Sequence, residues 1–114
     1  MVKGTYVPDA GDLVWLTFDP QAGREQRGRG PALILSPRAY NERTRLAVAC
    51  AITSHVKGYP FEVALPDGGP VTGVVLSDHL KSVDWKERRA KFAGKLAAAA
   101  LAEVRERVRP LLGL

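Results

Sequence analysis

Residues 25–37, EQRGRGPALILSP, set the pattern from which the fold follows. Gly28, Gly30 and Pro31 mark a loop, and the short unbroken apolar run 32–35 is what a strand buried on both faces requires. Three charged side chains, Glu25, Arg27 and Arg29, are therefore displayed at the mouth of a buried strand. The same grammar extends to both sides. Residues 12–18 (DLVWLTF), 31–36 (PALILS), 45–52 (RLAVACAI) and 61–65 (FEVAL) are short apolar or alternating runs, separated by segments rich in turn formers. Residues 73–76 read as a further strand, followed by a turn of helix that Ser77 or Asp78 would cap. Four or five short strands at this spacing predict a small barrel.

One long helix closes the chain. Leu101, Val104, Val108 and Leu111 step by three and four, which puts them on one stripe, with Glu103, Arg105, Glu106, Arg107 and Arg109 mostly outside it. Pro110 is expected to end or kink this helix, because proline lacks an amide hydrogen and crowds the preceding turn. No internal repeat or linker divides the sequence, so residues 1–114 are expected to form one domain.

Composition narrows the function classes. The 114 residues are 46% hydrophobic and 25% charged, which fits a globular domain with a real core. A net charge of +5 favours an anionic partner such as nucleic acid or an acidic peptide. Cys50 is the only cysteine, set in the apolar run LAVACAI, so it reads as a core residue in a reducing compartment. No apolar leader or membrane-length segment is present, and the expected location is cytoplasmic. GxxxxGK[ST], GxGxxG after a strand, HExxH and paired CxxC are all missing, and His55 and His79 lie far apart in sequence, so neither cofactor nor metal is expected. What remains unexplained is a set of hydroxyls and cations at strand ends: Thr53, Ser54, Lys57, Arg27 and Arg29.

Those residues also carry a resemblance. From YVPDAGDLVWLTFDP through EQRGRGPALILSP and SHVKGYPFEV to GVVLSDHLKSVDW and the C-terminal helix, the chain resembles the MazF family of toxin endoribonucleases. The resemblance implies a mainly β fold, an SH3-like small barrel of the CcdB/MazF type with short helices and a C-terminal amphipathic helix, acting as a homodimer. It implies metal-independent, sequence-specific cleavage of single-stranded RNA, leaving a 2′,3′-cyclic phosphate and a 5′-hydroxyl. It also implies neutralisation by an antitoxin with an acidic, extended C-terminal tail.

In the family, an arginine before the PA dipeptide and a threonine at the end of a later strand carry the chemistry. The threonine falls on Thr53. The arginine position falls on Gly30, since Gly28, Arg29, Gly30, Pro31 stands where relatives commonly read Gly, His or Arg, Arg, Pro. Two explanations stand: a natural loss compensated by Arg29 next door, or a substitution introduced to disarm a toxin. The chemistry makes the departure consequential. Attack of the ribose 2′-hydroxyl on phosphorus builds charge on nonbridging oxygens, and a guanidinium fork meets two of them at once.

Proton transfer is not fixed by the sequence. Arginine stays protonated in water, so Glu25 is the better general base on chemical grounds, and pairing with Arg27 or Arg29 is its alternative role. His79 is a candidate acid for the leaving oxygen, or a residue with a surface or dimer role. Arg27, Arg29, Ser54, Lys57 and Lys81 are the expected RNA contacts, while Tyr59 and Phe61 either stack bases or pack locally. Trp15 and Trp85 belong to the core or a dimer interface. Three function classes follow: an endoribonuclease with an impaired arginine position, a protein that binds RNA or antitoxin without cutting, and a gyrase poison of the CcdB type. The phosphate-suited loop and Thr53 argue against the last.

Overall fold

The computed structural model describes residues 6–17 and 28–114. Six strands and two helices follow in the order β1 (Asp12–Thr17), β2 (Arg29–Ile34), α1 (Arg38–Thr44), β3 (Leu46–Thr53), β4 (Glu62–Ala64), β5 (Val74–Asp84), β6 (Lys91–Lys95) and α2 (Ala98–Leu112). They form one antiparallel sheet with the spatial order β4-β5-β3-β2-β1-β6, curled as in the expected small barrel.

Alternation along the strands explains how one sheet buries both faces. Leu13, Leu33, Cys50, Ile52 and Val75 point into one core, which α2 covers with Val104 and Val108. Val14, Leu16, Ala32, Ile34, Ala47 and Ala49 point into a second core closed by Val83 and Trp85. Burying each valine of α2 contributes on the order of 1.5–3 kcal/mol, more than the helix gains from its own propensity. An unbroken apolar run such as ALIL is therefore the pattern of a strand used on both sides.

The structure corrects four expectations. Residues 77–84 continue β5 as a strand and form no helical turn. Pro110 neither ends nor breaks α2, which runs two residues further to Leu112. It stands in the last turn, where only one ladder bond is forgone, and Gly113 (φ 73) then closes the helix by donating its amide to Pro110 O. PRAYNERT, read only as a turn, contains α1. That helix is held by one polar residue: fully buried Asn41 donates to Pro8 O and Ser36 O, accepts from Ser36 Oγ, and offers its carbonyl to Trp85 Nε1. Strand β6 was also unforeseen. It is a short edge strand on β1, and its apolar Phe92 is half-exposed at 49%.

Trp85 is core, at 6% exposure, whereas Trp15 is partly buried against the α2 side. No described helix is long and apolar enough to cross a membrane.

Candidate active site

The site is built where β3 ends and β2 begins. The β2–β3 ladder ends at the pair Ala32–Ala51, and beyond it Gly30 of β2 and Thr53 at the end of β3 run on to the wall of one cavity. Arg29, Gly30, Thr53 and Ser54 accordingly line one cavity of about 360 Å³, together with Trp15 and Thr72. Of the residues expected from the sequence, this cavity brings together Arg29, Gly30, Thr53 and Ser54.

Backbone packing fixes Thr53. Its partner in the ladder is Val74, and the preceding Gly73 adopts φ +112, where a Cβ would lie 2.2 Å from Thr53 O. Only glycine permits that approach. The Thr53 hydroxyl accepts from the His55 amide at 3.1 Å, which turns the chain out of the strand and leaves the hydroxyl hydrogen free to donate.

Arg29 has a different occupation from the phosphate contact expected of it. Its guanidinium donates to Thr17 Oγ1 (2.7 Å), Trp15 O (3.1 Å), Arg89 O (2.6 Å) and Arg88 O (3.5 Å). The fork thus clamps β1 to the turn before β6, with little left to meet a phosphate or to replace a missing neighbour. Glu25 and Arg27 lie outside the described residues.

Thr53 also walls a second cavity, of about 200 Å³, with His55, Lys57, Tyr59, Glu62, Asp78 and His79. Glu62 holds the loop here, its two carboxylate oxygens accepting from the Lys57 amide (3.0 Å) and the Gly58 amide (2.9 Å). Arg107 of α2 donates to Pro60 O and anchors the same loop from the other side. Lys57 Nζ lies 5.9 Å from the centroid of the Tyr59 ring, which is 59% exposed. Tyr59 is therefore not core, and Phe61 is partly buried. His55, Glu62 and Asp78 were not foreseen as site residues. A cluster of turn formers hid them, and Asp78 read as a helix cap.

Lys81 stands apart. It pairs with Ala49 and lines a separate small cleft with Ala51 and Arg88, away from both Thr53 cavities. Cys50 is fully buried, and burial pushes its thiol up to about 12, so it is no nucleophile. Among the described residues, no three His, Cys, Asp or Glu side chains converge in a way that could hold a metal ion.

This fold is that of a toxin class: the chain belongs to the family of PemK-like, MazF-like toxins of type II toxin-antitoxin systems, matched over residues 9–112. Among its relatives, the endoribonuclease toxin MazF of Escherichia coli K12 is 44% identical over 108 residues, covering 95% of this chain and 96% of that one. The crystal structure of MazF from Deinococcus radiodurans superposes with a TM-score of 0.89 at 59% identity, covering 96% of this chain and all (100%) of that one. A MazE-MazF structure from the same organism is similar at TM-score 0.87 and 55% identity, covering 96% and 99% of the two chains.

Proposed function

We propose that the protein is an endoribonuclease toxin that cleaves single-stranded RNA at specific short sequences, without a metal and away from the ribosome. The observation that carries this reading is the meeting of positions 30 and 53 in the wall of one open cavity, in a chain whose relatives are named endoribonucleases. A phosphate seated between them receives a hydrogen bond from Thr53. An arginine at position 30 would meet the oxygens that become charged as the 2′-hydroxyl attacks, and the bond to the 5′-oxygen then breaks. The products are a 2′,3′-cyclic phosphate and a 5′-hydroxyl.

Gly30 supplies no such group, and Arg29 is committed elsewhere, so this copy turns over slowly while keeping its RNA grip. That grip draws on Ser54 and Lys57 beside Thr53, with Arg27 at the loop and Lys81 as a contact farther along the RNA. Glu25 remains the proposed base. The working form is a cytoplasmic homodimer, and the partner is an antitoxin with an acidic tail, as suits a chain of charge +5. Related toxins have been solved with MazE or with a cognate antitoxin. The tail's carboxylates compete with phosphates for the same cations, and its apolar residues suit the groove of about 380 Å³ between Leu35, Leu80, Val108 and Leu112, rimmed by Arg105 and Arg109.

Incubation of concentrated protein with a long labelled RNA in EDTA should give slow cleavage at a fixed set of sequences, with cyclic-phosphate ends, suppressed by an acidic antitoxin peptide. Fragments with 3′-hydroxyl ends, or a strict need for a divalent ion, would exclude this chemistry.

A further inference from the structure

The β3–β5 ladder contains an irregularity placed beside the site. Cys50 pairs with Leu80, but Ile52 pairs with Val75, so the segment 76–79 of β5 stands opposite the single residue Ala51. Leu76 and Ser77 turn instead to the β4 side, where Leu76 pairs with Glu62 and the Ser77 amide donates to Phe61 O at 3.0 Å. A bulge of this kind re-aims side chains. Here it carries Asp78 and His79 out of the ladder and into the wall of the second cavity, across from Tyr59.

We propose that this second cavity is a nucleobase pocket that selects a base carrying an exocyclic amino group, with Asp78 as the discriminating residue. The inference rests on the reading of the protein as an RNA-cleaving toxin. Thr53 is a wall shared by both cavities, so a nucleotide next to the phosphate held at Thr53 reaches the pocket without leaving the chain. Its volume of about 200 Å³ suits one base and not a stacked pair. Tyr59 supplies an exposed ring for stacking, with Lys57 beside it to neutralise backbone charge.

The polar lining sets the choice. An ionised carboxylate only accepts hydrogen bonds. Glu62 has one amide on each of its oxygens, whereas among the described residues the polar neighbour of the Asp78 carboxylate is His79 Nε2 at 4.0 Å, too far for a hydrogen bond. Asp78 therefore offers lone pairs to the amino group of adenine, cytosine or guanine. Uracil has no exocyclic amino group and offers only its N3–H as a donor, so it makes fewer hydrogen bonds to a carboxylate placed for an amino group.

Selection on the full-length protein from a pool of uncleavable, fully 2′-fluoro RNA oligonucleotides, randomised at every position, tests the idea. The parent should enrich amino-bearing bases and deplete uracil at one fixed position. Asp78→Asn, which keeps the shape and supplies a donor, should erase or invert that bias and weaken the best parental sequence about tenfold, leaving other positions unchanged. Tyr59→Ala should weaken all sequences by about tenfold or more without changing the choice of base. An unaltered bias in Asp78→Asn, or a uniform change for every sequence, would overturn the proposal. Failure of parent and variants alike to bind any RNA would instead overturn the RNA-cleaving reading itself.

Discussion

Gly30→Arg is expected to raise the rate of RNA cleavage about 100- to 1,000-fold, the usual worth of one preorganised donor at a developing oxyanion. Gly30 lines the same cavity as Thr53, so a guanidinium introduced there starts beside the hydroxyl that holds the phosphate. The gain comes from geometry as well as charge, because the fork binds two oxygens of one phosphate. Gly30→Lys should therefore recover only part of the rate. Single-turnover cleavage of one RNA in EDTA by the parent and both variants is the measurement. In a host without antitoxin, the arginine variant should also arrest growth. An arginine variant no faster than the parent would remove position 30 from the chemistry. A parent already as fast would hand the role to a group elsewhere on the loop, since Arg29 is held by four acceptors.

Gly73→Ala should be the most damaging small substitution near the site, costing about 2–4 kcal/mol of stability. Its φ of +112 is closed to L side chains, and the new methyl would collide with the Thr53 carbonyl. Backbone must move to relieve this, and what moves is the end of β3 that aims the Thr53 hydroxyl. The denaturant midpoint should fall, and RNA affinity should drop even where the protein remains folded. Stability within about 0.5 kcal/mol of the parent would mean that the close approach does not constrain the site.

The strands β1 to β4 and the stripe of α2 were legible because burial on both faces leaves unbroken apolar runs, and a covering helix leaves a three-four repeat. Strand β6 was not, since lysines at both ends of KFAGK and a half-exposed Phe92 give an edge strand no periodic signature. Helix α1 escaped for a related reason. Its one fully buried residue, Asn41, is polar, so no apolar pattern announces it. At the site, Thr53 and Gly30 could be named only through the family resemblance, and the structure brings these distant positions to one cavity. Asp78 could not be assigned, because its placement depends on how two strands fall out of step at Ala51. Nor did the sequence distinguish Arg29 from Lys57. In the sequence both read as cations beside turn formers, and only the acceptors around Arg29, the first residue of β2, show that it braces the scaffold.

The buried thiol gives this protein an internal clock. Cys50 is the sole cysteine, sealed between β2 and β5 at 0% exposure, with ionisation suppressed by burial. A thiol reagent must wait for the sheet to come apart, so the labelling rate in the native state should track opening of the core rather than local fraying. Oxidants that modify accessible thiolates should likewise leave the folded toxin untouched. Labelling followed by mass spectrometry should be slow in the parent and much faster in Gly73→Ala, and an acidic antitoxin peptide should retard it further by mass action. Rapid modification of the undisturbed parent would show that the central strands part far more readily than their packing implies.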